Sequence, residues 1–232
     1  MHPNILRFPI DGSIGELSSR PLGSTGDWVE FSHAVGDVVL PVGEEIKLWI
    51  DANARFGPSI LSAIPPGALT ELEWVSNWAV TDAGIEPIGR LKGLKGLALW
   101  ETPIGDEGIA HLHGLAGLLW LDIGETAIAN EGLRHLQTLS SLRALSLLGT
   151  RIDDGWRYLP ALERLERLDQ METLVGDAGV IELSLMTSLK SLRVYQTRIT
   201  TAGYSSLVRA LPRCEIKFLD PHVPEPSTKD PL

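Results

Sequence analysis

Leucines recur along the chain at an interval of about 24 residues. The first leucine of an L-x-x-L step occurs at Leu69, Leu94, Leu118, Leu142, Leu165 and Leu189. Each later step leads into a short segment of alternating apolar and other residues, such as Leu97-Ala98-Leu99. Alternation with a period of two predicts a strand with one buried face. Apolar residues at helical spacing, such as Ile109, Leu112 and Leu115, close the unit and predict a helical segment.

Two polar columns accompany the leucines. A threonine follows the strand at Thr102, Thr126, Thr150, Thr173 and Thr197. A residue with a side-chain oxygen stands two places before a glycine at Asp82, Asp106, Asn130, Asp153, Asp177 and Thr201. We expect the threonine hydroxyls to bond to the backbone of the adjacent turn. We expect the second column to cap the N-termini of the helices.

One unit cannot be stable alone, because its few inward apolar residues cannot offset the entropy lost on ordering the whole repeat. Neighbouring units must therefore stack and share a core.

The repeated motif resembles the leucine-rich repeat family in its T-x-I-T-D-x-G-L variety. It is similar to the cysteine-containing subclass and to repeats that are abundant in bacterial proteins of this family. The resemblance covers roughly residues 69–219. It implies an α/β solenoid of horseshoe shape, with parallel strands on the concave face and helices on the convex face. It also implies that partners bind the concave face.

The chain divides into three predicted parts. Residues 1–45 do not fit the repeat, and their short strand signals at 28–31 and 37–40 predict a small β-rich N-terminal cap. Residues 46–219 form the repeat domain of about six to seven coils, with a first strand at 46–50 and a closing strand within 211–218. The proline-rich segment 220–232 is predicted to be a disordered tail.

Two residues stand out at inward positions. Gln170 occupies a strand position that carries Leu, Ile or Val in other units. Either its amide is hydrogen-bonded, or the strand shifts and Met171 turns inward. Trp156 takes the helical position of Ile109 and Leu133, so we expect it in the core.

Composition and charge exclude several classes of function. The chain is 44% hydrophobic with a net charge of −10, which argues against binding to nucleic acid or anionic membranes. No apolar stretch reaches the roughly 18 residues of a membrane-spanning helix. The N-terminal residues show no secretory signal, so a cytoplasmic location is expected. The single cysteine, Cys214, excludes an internal disulfide framework.

The sequence shows little catalytic chemistry. G-x-S-x-G, H-E-x-x-H, P-loop and G-x-G-x-x-G motifs are all absent. The best metal candidates are His111, His113 and His135, but repeat spacing places His111 and His135 on adjacent helices, too far apart to share one ion easily. Cys214 lies in the closing segment and is expected to be structural. We therefore expect no enzymatic activity, no metal and no cofactor.

The outward strand positions form one surface, because neighbouring strands lie about 4.8 Å apart. This surface combines aromatic and acidic residues, a composition that resembles protein interfaces. The candidate partner-binding residues are Trp100, Trp120, Asp122, Glu125, Asp169, Glu172, Arg193 and Tyr195. We expect Trp100 and Trp120 to form an exposed apolar patch. The alternative is that the carboxylates are merely solvated and that each tryptophan covers neighbouring backbone.

The sequence favours a non-enzymatic scaffold that binds another protein through this acidic and aromatic face, whose charge suits a basic partner. A narrower alternative is an inhibitor or immunity-type protein that occludes a basic enzyme such as a nuclease or toxin. A metal-dependent or enzymatic role and self-assembly through Trp100 and Trp120 are further hypotheses, although a monomer is favoured.

Overall fold

The computed structural model of the protein describes residues 5–54 and 58–218. The strands are β1 (Ile5–Arg7), β2 (Gly15–Pro21), β3 (Val29–His33), β4 (Asp37–Val39), β5 (Glu44–Ile50), β6 (Glu71–Trp74), β7 (Gly96–Ala98), β8 (Trp120–Asp122), β9 (Ala144–Ser146), β10 (Arg167–Asp169), β11 (Ser191–Arg193) and β12 (Glu215–Lys217). The α-helices are α1 (Asp106–Ala110), α2 (Asn130–Leu136), α3 (Val180–Leu183) and α4 (Thr201–Ala210). Short 3₁₀ helices lie at Pro58–Ala63, Ala83–Arg90, His111–Gly114, Gly155–Ala161 and Asp177–Gly179.

One long sheet carries the repeat. Strands β5 to β12 lie side by side in chain order and pair in parallel, each one repeat along from the last. The sheet continues beyond β5 into β2 and then β3, which pair antiparallel. Strands β1 and β4 form a separate antiparallel pair. The strands predicted near 46–50, 28–31, 37–40 and 211–218 are confirmed as β5, β3, β4 and β12, whereas the predicted tail lies outside the described residues.

The core runs the length of the sheet. The central inward residue of each strand from β5 to β11 is at most 2% exposed: Leu48, Leu72, Leu97, Leu121, Leu145, Leu168 and Leu192. Trp156 is fully buried, and its indole N–H donates a hydrogen bond to the carbonyl of Asp153 at 2.9 Å. Its predicted place in the core is confirmed.

The threonine column acts as expected. Each hydroxyl donates to the backbone carbonyl three residues earlier, at 2.7 to 3.0 Å, in Thr102, Thr126, Thr150, Thr173 and Thr197. All of these threonines are buried. The hydroxyl therefore satisfies a carbonyl at the strand end without water.

The expectation that the acidic column caps its own helices is wrong. Asp106 is the first residue of α1, which has no side-chain cap, and its Oδ1 accepts a bond from the N–H of Ala129 in the next repeat at 2.7 Å. Asp82 accepts likewise from Gly105 at 2.7 Å, and Asp177 from Thr200 at 2.9 Å. Asp106 and Asp177 lie one place too late to cap, whereas Asp82 stands at the N-cap position without a capping bond, and each carboxylate instead accepts from an N–H that repeat stacking brings within reach.

The convex side is less helical than the apolar spacing indicates. Helices α1 and α3 have five and four residues, and 3₁₀ turns replace or extend helices in most repeats. Pro87 and Pro160 lie inside two of these turns. Since proline removes an N–H donor and clashes with the preceding turn, longer α-helices cannot form there.

Gln170 satisfies neither of its two expected outcomes. Its side chain is fully buried, and no hydrogen-bond partner for either amide atom lies within residues 5–54 and 58–218. The strand keeps its register, and Met171 stays half-buried on the outer side. The N–H of Gln170 donates to the carbonyl of Arg193 at 3.1 Å, so backbone pairing holds the side chain inward.

Replacing Gln170 with leucine should stabilise the protein. A buried polar group without a partner costs about 1–3 kcal/mol, and leucine has a similar volume. We expect Gln170→Leu to raise the free energy of unfolding by about that amount in urea titrations, with the m-value unchanged.

The matched control is Leu147→Gln, which places an amide at the equivalent position of the preceding repeat. This variant should lose stability. A loss of stability in Gln170→Leu would show that the amide has partners in solution.

Candidate partner-binding face

The outward residues of β5 to β12, together with the residues just after each strand, form what we call the sheet face. Pairing register places Trp120 between Gly96 and Ala144. It also places Asp122 between Ala98 and Ser146. The predicted site residues are therefore arranged in columns that cross the strands.

The two tryptophans do not form the shared apolar patch that the sequence suggested. The ring of Trp120 lies over Gly96, where any Cβ would overlap it. The ring of Trp100 lies over Gly124, with Cδ1 at 2.9 Å from the place of a Cβ. Both side chains are half-buried. Trp120, at the start of β8, packs toward the preceding repeat, and Trp100, just after the end of β7, packs toward the following repeat. Each ring thus covers the backbone of one neighbouring strand.

A charged cluster that sequence reasoning missed lies beside Trp120. The carboxylate of Glu71 is buried. The guanidinium of Arg20 on β2 forms ion pairs with Glu71 at 3.4 Å and with Glu45 at 2.7 Å. The ring of Trp28 packs on the Arg20 guanidinium at 4.2 Å. Burial raises the pKa of Glu71, although Arg20 and the Trp120 side chain oppose the shift. No sequence pattern indicated this cluster, because the antiparallel pairing that brings β2 beside β5 lies outside the repeat.

A recess of about 240 Å³ opens on the sheet face between β8 and β11. Its floor is formed by Ala144 and Ser146 of β9. Its lining on the flanking strands includes Trp120, Asp122, Arg167, Asp169, Ser191 and Arg193. The recess exists because β9 carries two small outward residues between strands with larger ones.

Two aspartates face each other across this floor. Asp122 and Asp169 both pair in register with Ser146, from opposite sides. Each Oδ1 accepts a bond from the N–H two residues on, Gly124 at 3.0 Å and Met171 at 3.1 Å. Burial raises the pKa of Asp122, and the charge of Asp169 adds to the rise. Both aspartates are therefore held in place, and Asp122 lies in an environment that disfavours its charge.

Glutamates line the edge where the strands end. Glu101, Glu125 and Glu172, which we call the acidic rim, occupy the same position in their repeats and have φ between 52° and 57°. Gly149 takes this position in the repeat between Glu125 and Glu172, and the Glu125 carboxylate lies against it. Left-handed backbone is costly for such residues, so the turn imposes it on the rim.

Ion pairs neutralise part of the predicted acidity. Glu73 pairs with Lys47 at 3.3 Å, and Asp169 pairs with Arg193 at 2.8 Å. Within the described part of the chain, Asp122 and the acidic rim have no such ion pair. The carboxylates of the sheet face without an ion pair are thus Asp122 of β8 and those of the acidic rim.

The structure divides the eight predicted site residues. Trp120, Asp122, Asp169 and Arg193 come together in the recess. Glu125 and Glu172 lie on the acidic rim beside it. Trp100 and the half-buried Tyr195 lie outside the recess lining. Sequence reasoning missed Arg167 and the small residues of β9, Ala144 and Ser146, which line the recess because the neighbouring strands carry larger side chains.

Nucleophilic and metal-ligating groups lie elsewhere. Burial raises the pKa of Cys214 to about 11, so its thiol is protonated at neutral pH and a poor nucleophile. One cluster in the described ranges has metal-ligating atoms within 4.8 Å of one another, Glu16, Glu30 and His33, and none of the three histidines singled out above belongs to it. A register shift between β2 and β3 brings Glu30 and His33 to the same face. None of the helices described has both the length and the apolar character needed to span a membrane.

Substituting Gly96 should displace Trp120. In Gly96→Ala the new methyl group overlaps the indole, so the ring must leave its place over β7 and lose its interaction with Glu71. We expect a large shift of the Trp120 indole N–H resonance in NMR spectra and a loss of about 1–3 kcal/mol in stability. Gly12→Ala, whose methyl group would meet nothing within 4 Å, should leave both unchanged.

Asp122 should make stability depend on pH. Its raised pKa means that the folded protein binds this proton more tightly than the unfolded chain, so stability falls as pH rises through the range above 3.8. Asp122→Asn should therefore be more stable than wild type at pH 7, and the difference should disappear near pH 3. Urea titrations at several pH values measure this.

Asp153→Asn is the control of opposite sign, because a hydrogen bond from Asn130 lowers the pKa of Asp153. The loss of stability of Asp153→Asn relative to wild type should be largest at neutral pH, where Asp153 is charged. Equal pH profiles for the two variants would contradict the environment described for Asp122.

Comparison with known proteins supports the fold. No family model matches the sequence, and no curated protein matches it. An internalin (inlF) from Listeria monocytogenes is similar in structure, with a TM-score of 0.60 and 21% identity over 70% of this chain and 44% of that chain. Internalin C2 from the same organism has a TM-score of 0.61 and 22% identity over 76% of this chain and 74% of its own.

A plant receptor is also similar. The ectodomain of the Arabidopsis thaliana membrane receptor kinase GASSHO1/SCHENGEN3 has a TM-score of 0.51 and 19% identity, over 75% of this chain and 20% of that chain. All three proteins are built from leucine-rich repeats. The parallel strands, buried leucines and threonine turns described above are consistent with the same architecture. The chain has the leucine-rich repeat fold.

Proposed function

We propose that this chain is a non-enzymatic scaffold that binds a partner protein on the sheet face. The observation that carries the proposal is the recess, which joins two facing aspartates, a half-buried tryptophan and an exposed acidic rim on one continuous surface. Such a mixture of aromatic and charged groups is typical of protein interfaces. Support also comes from the similar plant receptor ectodomain, whose structure was determined in complex with CASPARIAN STRIP INTEGRITY FACTOR 2.

The partner of this proposal presents a basic patch. Glu125 and Glu172 are exposed and follow Asp122 and Asp169 by three residues at the same edge of the sheet, so positive charge on a partner gains from these carboxylates. Trp100, Trp120 and Tyr195 supply apolar area that a partner covers. Charge of this kind mainly speeds association and selects the partner, while buried aromatic area slows dissociation.

A narrower form of the proposal is an inhibitor or immunity-type protein that occludes a basic enzyme. The net charge of −10 favours it, because a strongly acidic chain attracts basic enzymes at long range. In this form the captured partner is a basic nuclease or toxin that loses activity in the complex. Its affinity falls steeply as salt concentration rises.

The test is affinity capture from extracts of the native cells with matched charge variants as baits. Glu125→Lys with Glu172→Lys reverses two exposed glutamates of the sheet face. The control, Glu107→Lys with Glu131→Lys, reverses two exposed glutamates of the helical side. We expect a protein that is captured by wild type and by the control variant. The amount captured by the sheet-face variant should be at least ten-fold lower. Equal capture by both variants would place the interaction elsewhere.

A further inference from the structure

The recess has the width of one side chain. Because Asp122 and Asp169 are separated by a single strand, their Cα atoms lie about 9–10 Å apart. Ala144 and Ser146 are small and leave the recess between them, although the Ser146 side chain is a hydrogen-bond partner of Asp122. A side chain entering above Ser146 can therefore reach both carboxylates, while its stem passes Ala144 and Trp120.

The lining carries two carboxylates and two arginines, Arg167 and Arg193, so the place that favours an incoming cation is Asp122, which has no ion pair among the described residues. Both carboxylates are anchored through Oδ1 to the backbone of their own strand ends, so they cannot turn away from each other. Arg193 contacts the outer oxygen of Asp169 at 2.8 Å. No ion pair from the described residues reaches Asp122, which leaves its side of the recess without a cation.

We propose that the recess receives one arginine side chain of the partner protein, with its guanidinium between Asp122 and Asp169. This inference rests on the proposed function and specifies the chemistry that its surface recognises.

Arginine fits better than lysine for a geometric reason. A guanidinium is planar and carries five N–H donors that point to opposite sides, so one group can donate to both aspartates at once. The ammonium group of lysine is a compact and strongly hydrated point charge, which gains less from two separated carboxylates. Both side chains have an apolar stem, which would pack against Ala144 and Trp120 in the recess.

Arg193 has an opposing role in this account. It already occupies one oxygen of Asp169, so it competes with the incoming guanidinium for that carboxylate. Removing it should strengthen binding of arginine. A role for Arg193 as a direct partner contact, as the sequence suggested, predicts that its removal weakens binding.

The experiment uses short blocked peptides as probes. Acetyl-Gly-Gly-Arg-Gly-Gly-amide is titrated into the isotopically labelled full chain, and the amide signals of Gly124 and Met171 are followed, since their N–H groups donate to the two aspartates. Peptides with lysine or citrulline in place of arginine are the comparison. The protein variants are Asp122→Asn, Arg193→Met and, as a control in the N-terminal segment, the exposed Asp11→Asn.

The proposal expects a Kd for the arginine peptide at least ten-fold below that of citrulline and at least three-fold below that of lysine. Asp122→Asn should raise this Kd at least five-fold, Arg193→Met should lower it, and Asp11→Asn should leave it unchanged. Equal binding of the arginine and citrulline peptides, equal binding of arginine and lysine, or no effect of Asp122→Asn would overturn it.

The two proposals can fail separately. If the charge-reversal baits lose a partner but the arginine peptide does not bind, the recess assignment is wrong and the sheet face remains the interface. If the peptide binds as expected but both baits capture the same partners, the recess recognises arginine and the proposed interface is wrong.

Discussion

The structure depends on the stacking of neighbouring repeats, because one repeat buries too little apolar surface to be ordered by itself. Three kinds of contact join the repeats. Leucines at the same strand position pack along a continuous core, parallel strands pair in register, and an aspartate such as Asp106 accepts a bond from the next repeat. The last contact is directional, so it sets both the spacing and the rotation of one repeat against the next.

Because the repeats stack regularly, the period of the sequence produces one continuous surface of outward residues. Residues about 24 apart come to lie on adjacent strands, so a change in one repeat alters one place on the sheet face. Small residues at Ala144 and Ser146 create the recess, and the left-handed turn after each strand holds Glu125 and Glu172 at its edge. At Asp122 this arrangement disfavours the charged form, since burial and the charge of Asp169 raise its pKa.

Periodicity was sufficient to predict the strands, the inward leucines, the threonine turns and which residues face outward, because each follows from alternation within one repeat. Interactions between repeats were not predictable in this way. The direction of Asp106, the place of Trp120 over Gly96 and the contact of Arg20 with Glu71 depend on what the neighbouring strand carries. Gln170 kept its register for the same reason, since pairing on both sides outweighs one unsatisfied amide.

The central claim is that a partner covers the sheet face between β8 and β11. Carbodiimide labelling of carboxylates, read by mass spectrometry with and without a captured partner, tests it most directly. The account predicts that Asp122, Asp169, Glu125 and Glu172 lose labelling in the complex while the exposed Glu107 and Glu131 keep theirs. Loss of labelling at Glu107 and Glu131, with the other four unchanged, would show that the helical side binds instead.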